Sequence, residues 1–471
     1  MKVLLASIPM TGHFNPILVA ARILKESGYE TAIYTSIIFR DKIEKTGIRF
    51  IPLPEDADQG VRDLIASFLS KHRVRAGLED ILKVFQGIFV DPMISQYRGL
   101  QSTLKEFPAD VVIHETCFTG VIPMLLDPSS ERPASVYLGV IPLRLERADG
   151  APWGPGLLPT EDPEKRKEYA EAARSVNETK ELPLRRAADE LLAEIGLPPL
   201  PTFLFRSVAV LADLILQPCI PSFEFPLREP EERLHFIGGL LPNGAGDVPA
   251  EIKKAKKAGR KIVLVSQGTI ANNDLGKLLA PTIQGLGDRE DLLILATTGG
   301  KPIENIPCEL TANTIASKFL DFSKILPDAD VLVAFGGYGT VTETLSFGVP
   351  MVVAGMSEDK PEVSARVTWT GTGIYLPTDT PRPEQVRDAV DQILAKPEYR
   401  ARAMEMAREF AAYDSAKKLP ELLEALVTER QVRAHGVPDG FPADCRSLSD
   451  AASRGGCSRP SCHSRGRRIG R

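Results

Sequence analysis

Val331-Leu332-Val333-Ala334-Phe335-Gly336-Gly337-Tyr338-Gly339-Thr340-Val341-Thr342-Glu343-Thr344-Leu345 is the stretch that decides the fold. Its first four residues are a short apolar run that reads as a buried strand. Three glycines follow within four positions, and Val341 and Leu345 then stand one helical turn apart. A strand that runs through a glycine turn into a helix is one βα unit of a parallel sheet. In such a turn the bare backbone N–H groups and the helix N-terminus point at one place, which suits phosphate. The spacing is neither Gly-x-Gly-x-x-Gly nor a Walker loop, because no lysine follows the last glycine, so the loop alone does not name its ligand.

The same rhythm extends in both directions. Residues 262–265, 292–296 and 350–354 read as further strands of that half, with helical segments between them. Towards the N-terminus, residues 3–8, 30–35, 111–113 and 135–137 repeat the pattern. Asn15 can cap a helix that has Pro16 at its first position and closes at Gly28, and apolar residues at three-to-four spacing make residues 63–107 helical. Residues 148–160 are a loop rich in proline and glycine. The expected class is α/β, with two Rossmann-like domains facing each other across a cleft. The expected organisation is an N-terminal domain over 1–217, a proline- and glycine-rich linker over 218–250, a second domain over 251–396, terminal helices over 397–430 and a tail over 431–471. The tail is Arg-, Gly- and Ser-rich with few large aliphatic residues, which predicts disorder.

The chain has 471 residues, with 57 basic against 62 acidic side chains, a net charge of −5. That balance gives no general footprint for nucleic acid or an anionic membrane, so any bound nucleotide is held locally. The six cysteines are scattered, which fits a reducing compartment, and the cytoplasm is the expected location. No apolar run reaches transmembrane length, and Pro9, Gly12, His13 and Asn15 interrupt the first one. Cys457, Cys462 and His463 lack a fourth ligand at zinc spacing, and no metal site is expected.

In open parallel sheets ligands bind beyond the carboxyl ends of the strands. Two such ends carry ionisable groups. His13 follows the first strand, behind Gly12, and Glu115 emerges with His114 and Thr116 after residues 111–113. If those strands are neighbours, the carboxylate orients the imidazole and favours its protonated form, which makes a stronger general base. The bland alternative is two independent polar loop residues.

A family resemblance enters on these residues together. The glycine loop, with Phe347-Gly348-Val349-Pro350 and then Glu358-Asp359-Lys360, resembles the donor signature of UDP-dependent family 1 glycosyltransferases. Gly12-His13 with Pro16 is similar to their acceptor-side signature, and Val265-Ser266-Gln267-Gly268-Thr269 to the segment that opens their C-terminal domain. The likeness runs in order over about residues 1–430.

This resemblance implies a GT-B fold and an inverting, metal-independent transfer of a hexose from a UDP-sugar, such as UDP-glucose, to a hydroxyl of a small apolar acceptor: a phenol, polyketide or lipid-like alcohol. It implies no other cofactor, no nucleic-acid partner and no membrane span, and it leaves the oligomeric state open. His13 then matches the base and Glu115 its partner. Ser266, Gly268 and Thr269 belong to the donor side, and Phe319 matches the ring that stacks on uracil. Gly336, Gly337, Gly339 and Thr340 match the phosphate cradle, Glu343 the ribose-binding acid, and Asp359 with Lys360 the sugar-contacting pair.

Three departures are visible. Glu115 replaces the usual Asp, and Lys360 the usual Gln. Phe335 stands where many members place a polar residue on the phosphate, so it either faces the diphosphate without a donor or packs at the end of its strand. The alternative functions are a non-catalytic nucleotide-sugar-binding or partner protein and a UDP-sugar epimerase.

Overall fold

The structure is a computed structural model and describes residues 1–71, 77–128, 131–241, 246–268 and 273–435. The first sheet comprises β1 (Lys2–Ala6), β2 (Glu30–Thr35), β3 (Arg49–Pro52), β4 (Val111–Glu115), β5 (Ala134–Leu138), β6 (Leu214–Gln217) and β7 (Leu234–Phe236). The second comprises β8 (Lys261–Ser266), β9 (Leu292–Thr297), β10 (Thr314–Ser317), β11 (Val331–Ala334), β12 (Met351–Ala354) and β13 (Gly373–Leu376). Their orders are β3-β2-β1-β4-β5-β6-β7 and β10-β9-β8-β11-β12-β13, and every pairing within them is parallel. These are two doubly wound Rossmann-like domains, the α/β class that the alternation implied.

Both sheets are covered on both faces, which is why their strands read as unbroken apolar runs rather than alternating ones. Leu4, Ala6 and Val112 join the core on one face of the first sheet, and Val3, Leu5, Val111 and Ile113 the core on the other. The second sheet divides in the same way, with Leu264 and Leu332 on one face and Val263, Val265, Val331 and Val333 on the other. Each sheet reverses its winding at one place: between β1 and β4, where Ala6 pairs with His114, and between β8 and β11, where Ala334 pairs with Ser266. A crevice opens at the strand ends beside such a reversal.

Local features differ from the sequence reading at four places. The first helix spans Thr11–Glu26, with Met10 rather than Asn15 at its N-cap, so Pro16 lies inside it. Pro16 there forgoes the bond to the Gly12 carbonyl. The stretch 218–250 holds more than a linker. It contains a 3-10 turn, Pro221–Phe223, and the seventh strand, in which Leu234 pairs with Ile215. A short edge strand among prolines leaves little periodic signal. Strands β3, β6, β10 and β13 were also not anticipated; each has four residues. Finally, the last helix, Ser415–His435, continues five residues past 430.

Of the terminal helices, Pro397–Ala411 places Ala403, Met406 and Phe410 in the core of the second domain, whereas Ser415–His435 crosses back. Its Leu419, Leu423 and Leu426 pack with Val3 and Leu5 of the first sheet. Helices Val61–Lys71, Leu78–Phe89 and Met93–Glu106 occupy the segment expected to be helical.

Candidate active site

His13 lies in the first turn of the Thr11–Glu26 helix, directly beyond β1, and Glu115 is the last residue of β4. Adjacent parallel strands therefore bring two groups 102 positions apart into contact: His13 Nδ1 lies 2.7 Å from Glu115 Oε2. The carboxylate is fully buried and also accepts from the N–H of Cys117 at 2.8 Å and of Ile8 at 3.4 Å. A carboxylate can only accept, so Nδ1 carries the proton of the neutral imidazole and Nε2 keeps its lone pair. Burial by itself depresses the imidazole's pKa. The adjacent Glu115, through charge and hydrogen bond, and then Asp359 and Glu358 outweigh it and hold His13 above its ordinary value.

Cys117 extends this group. Possible ligand atoms of His13, Glu115 and Cys117 lie within 4.8 Å of one another, and burial pushes the thiol well up. Sequence reasoning missed Cys117; its position two residues beyond Glu115 was the available signal. On the other side Cys117 joins an apolar cluster with Phe89, Val90, Met93 and Leu143, against which Met10 packs. The base thus stands at the margin of an apolar region built partly by the 61–106 helices.

The second reversal holds the glycine loop. Gly336 adopts φ +77°, so glycine is favoured by conformation, and a Cβ there would also be tight, 3.2 Å from Ser364 Oγ. Around Gly337 and Gly339 a Cβ would meet nothing within 4 Å, so these amides border open space. Gly337 caps the Tyr338–Ser346 helix, whose first N–H groups have no intrahelical partners, and Thr340 lies half-buried in its first turn. Ser266 ends β8, and its hydroxyl accepts from the N–H of Gly268, at φ +77°, at 3.2 Å. Thr269 lies outside the described residues, as do Cys457, Cys462 and His463.

Phe319 follows β10 and is 53% exposed. It lies against Gly300, where a Cβ would come within 2.8 Å of the ring. Glu343, in the second turn of the Tyr338–Ser346 helix, is buried; burial and the charge of Asp321 push it up to about 7. A ring, a buried acid and a loop of amides therefore share one end of the second sheet.

Asp359 and Lys360 open the Lys360–Trp369 helix. Burial pushes Asp359 up to about 6, with Lys360 pulling it down and Glu358 raising it. Asp359 and His13 influence each other's ionisation, so the two domains face each other at this point. The Lys360 ammonium is buried and engaged by Glu358, and Ser357 Oγ lies at 3.4 Å. Glu358 itself has φ +59°, the one non-glycine residue in the left-handed region among those described, and the ion pair helps to hold that conformation.

Phe335 is 5% exposed and belongs to the apolar core with Val263, Val265 and Val333. Of the two readings open in the sequence, packed strand end is the one its surroundings match.

Two facing Rossmann-like domains, with a histidine–carboxylate pair at one switch point and a glycine loop at the other, define a GT-B glycosyltransferase. Residues 286–426 match the family model for the C-terminal domain of erythromycin biosynthesis protein CIII-like proteins. The chain is 31% identical over 435 residues to UDP-glycosyltransferase 2 of Phaeomoniella chlamydospora, covering 90% of this chain and 95% of the relative. It is 33% identical over 430 residues to 4'-demethylrebeccamycin synthase of Lentzea aerocolonigenes, covering 90% and 99%. Among solved structures, the glycosyltransferase of kitacinnamycin superposes with a TM-score of 0.67 at 20% identity, over 90% of this chain and 98% of that one. CalG4, the calicheamicin glycosyltransferase, gives 0.67 at 19%, over 91% and 98%. The chain belongs to the family 1 UDP-glycosyltransferases.

Proposed function

We propose that this enzyme transfers a hexose from a UDP-sugar to a hydroxyl of a small apolar natural product, with inversion and without a metal ion. The observation that carries the reading is the 2.7 Å contact between His13 Nδ1 and the buried Glu115, placed opposite Asp359. The acceptor hydroxyl gives its proton to His13 Nε2 while its oxygen attacks the anomeric carbon. Glu115 holds the ring in the tautomer that exposes Nε2 and stabilises the imidazolium that forms. On the opposite face UDP departs with growing negative charge. The amides of Gly337 and Gly339, with the N-terminus of the Tyr338–Ser346 helix, oppose that charge without rearranging.

Donor roles follow from the same placement. Phe319 offers a face to uracil, Glu343 accepts from ribose hydroxyls, and Asp359 accepts from the sugar. The relatives named for UDP-sugars and for rebeccamycin support a UDP-sugar donor and a natural-product acceptor.

Incubation with UDP-glucose and other UDP-sugars, with and without a panel of phenolic and polyketide alcohols, tests this by mass spectrometry. The expected result is a β-linked glycoside formed only with acceptor, at an undiminished rate in chelator. A new UDP-sugar formed without acceptor would instead establish an epimerase, and activity restored only by a divalent ion would overturn the metal-free mechanism.

A further inference from the structure

Away from the reacting groups, a buried ionic bridge spans the two domains. After β6 the chain leaves the first sheet and inserts Cys219, Ile220 and Phe223 into the core of the second domain. It then returns alongside residues 146–148, with Ala148 N donating to Pro226 O and Arg228 N to Glu146 O. Glu224 lies on this excursion, and Glu362 and Arg366 lie on the Lys360–Trp369 helix. All three are buried, Arg366 being 2% and Glu362 0% exposed.

The guanidinium joins the two carboxylates. Arg366 Nη2 is 2.8 Å and Nε 2.9 Å from Glu224 Oε2, and Nη1 is 3.0 Å from Glu362 Oε2. The remaining carboxylate oxygens reach the other domain. Glu362 Oε1 accepts from the N–H groups of Gly154 at 2.8 Å and Gly156 at 3.1 Å. Glu224 Oε1 accepts from Leu143 N at 3.3 Å and from the hydroxyl of Tyr338, the first residue of the helix beyond the glycine loop, at 3.0 Å. Gln217, at the end of β6, donates to that same hydroxyl at 2.7 Å. A Cβ on Gly156 would stand 2.2 Å from the Pro361 carbonyl oxygen, so the two backbones touch.

A buried group of two carboxylates and one guanidinium is a poor way to gain stability, because desolvation consumes most of the attraction. It is a good way to fix geometry, since every partner must be in place at once. Both helices that it holds begin at proposed donor contacts: Asp359 and Lys360 on one, the glycine loop on the other. Both loops that it grips, at 143 and 154–156, follow β5 on the acceptor side.

We infer that Glu224, Arg366 and Glu362 are positioning residues for sugar transfer, setting the register of the donor helices against the acceptor side and His13. This rests on the function proposed above. UDP is held by the second domain alone, so loosening the bridge misplaces the sugar relative to the base while leaving the nucleotide site intact. Misplacement by about 1 Å costs on the order of 10²-fold in rate.

Two conservative variants of the full chain test it. Glu224→Gln leaves Arg366 with one carboxylate and so avoids an unpaired buried charge. Arg366→Lys keeps the charge but loses the fork that joins both acids. The expected result for each is a fall in kcat of tenfold or more, UDP affinity by calorimetry within threefold of the parent, and a broader domain-separation distribution in small-angle scattering. Should either variant fail to fold, the other decides. Unchanged kcat and scattering in a folded variant would overturn the inference, as would a loss of activity accompanied by an equal loss of UDP binding. The scattering arm does not depend on turnover: a parent inactive with every sugar, whose variants still broaden, would defeat the proposed function and uphold the bridge.

Discussion

At the scale of single residues, His13 carries the sharpest expectation. Its replacement by Ala should lower kcat by about 10²–10⁴-fold and leave UDP affinity unchanged, because the base and the nucleotide belong to different domains. Equal turnover of variant and parent would remove the assignment. In its proposed role His13 works unprotonated, and its acidic surroundings hold its pKa above the ordinary 6.5. The kcat/KM profile for the acceptor should therefore rise with pH through an inflection above 6.5, and Glu115→Gln, which removes the principal raising charge, should move that inflection downward. Phe335 gives a stability test instead. Because the ring is packed among Val263, Val265 and Val333, Phe335→His should cost about 3 kcal/mol or more and leave UDP binding no tighter. A melting curve and a calorimetric titration read both. His13 and Glu115 were legible in the sequence because each stands at the end of an apolar run, where chemistry collects in parallel sheets. Arg366 was not: its decisive partner, Glu224, is 142 positions away.

Elements were legible in proportion to their length and burial. Strands β8, β9 and β11 each hold an unbroken run of four or five apolar residues beside helices, and they stood out. β7, three half-buried residues at a sheet edge, did not. The start of the first helix is hidden in the sequence because Asn15-Pro16 imitates a cap, while the true start at Met10 carries no capping side chain. Asp58, in a polar stretch with no periodic signal, is buried and ties Ser36 Oγ, Ile37 N and Arg62 Nε together. The Tyr338–Ser346 helix supports a prediction of its own. In its proposed role Glu343, held near 7, would be ionised to accept from both ribose hydroxyls, so donor binding would release a proton wherever Glu343 is protonated beforehand. Affinity for UDP should consequently improve by about tenfold between pH 6 and pH 8. Glu343→Gln, titrated over the same range, reports the ionisation of the diphosphate itself, and the difference between the two curves isolates the carboxyl. A parent curve that parallels the variant's would refute the role.

For the whole molecule, the two-domain plan was visible in the βα alternation, but the way the domains are tied was not, because the ties are made by segments that leave one domain for the other. The excursion through Phe223 is one such tie, and the Ser415–His435 helix is another. Leu419 and Leu423 of that helix are fully buried against the first sheet. Arg430 reaches Asp213 at 2.6 Å and the Arg132 carbonyl at 2.9 Å, and Tyr29 bonds Glu424. Losing a buried leucine side chain costs about 2–5 kcal/mol, so removal of several at once exceeds the whole stability of an ordinary domain. A chain ending at Asp414 should therefore fail to fold, or melt far below the parent. A chain ending at His435 keeps each of these contacts and discards only the Arg-, Gly- and Ser-rich segment, whose composition cannot bury a core. It should melt within about 2 °C of the parent, a margin of no more than about 2 kcal/mol at this chain length, and turn over at the parental rate. The comparison of the two truncations is what decides the matter: equal melting temperatures for both would mean that the first sheet does not need its last helix, and a large loss on removing 436–471 alone would place a structural role in the segment that composition marks as dispensable.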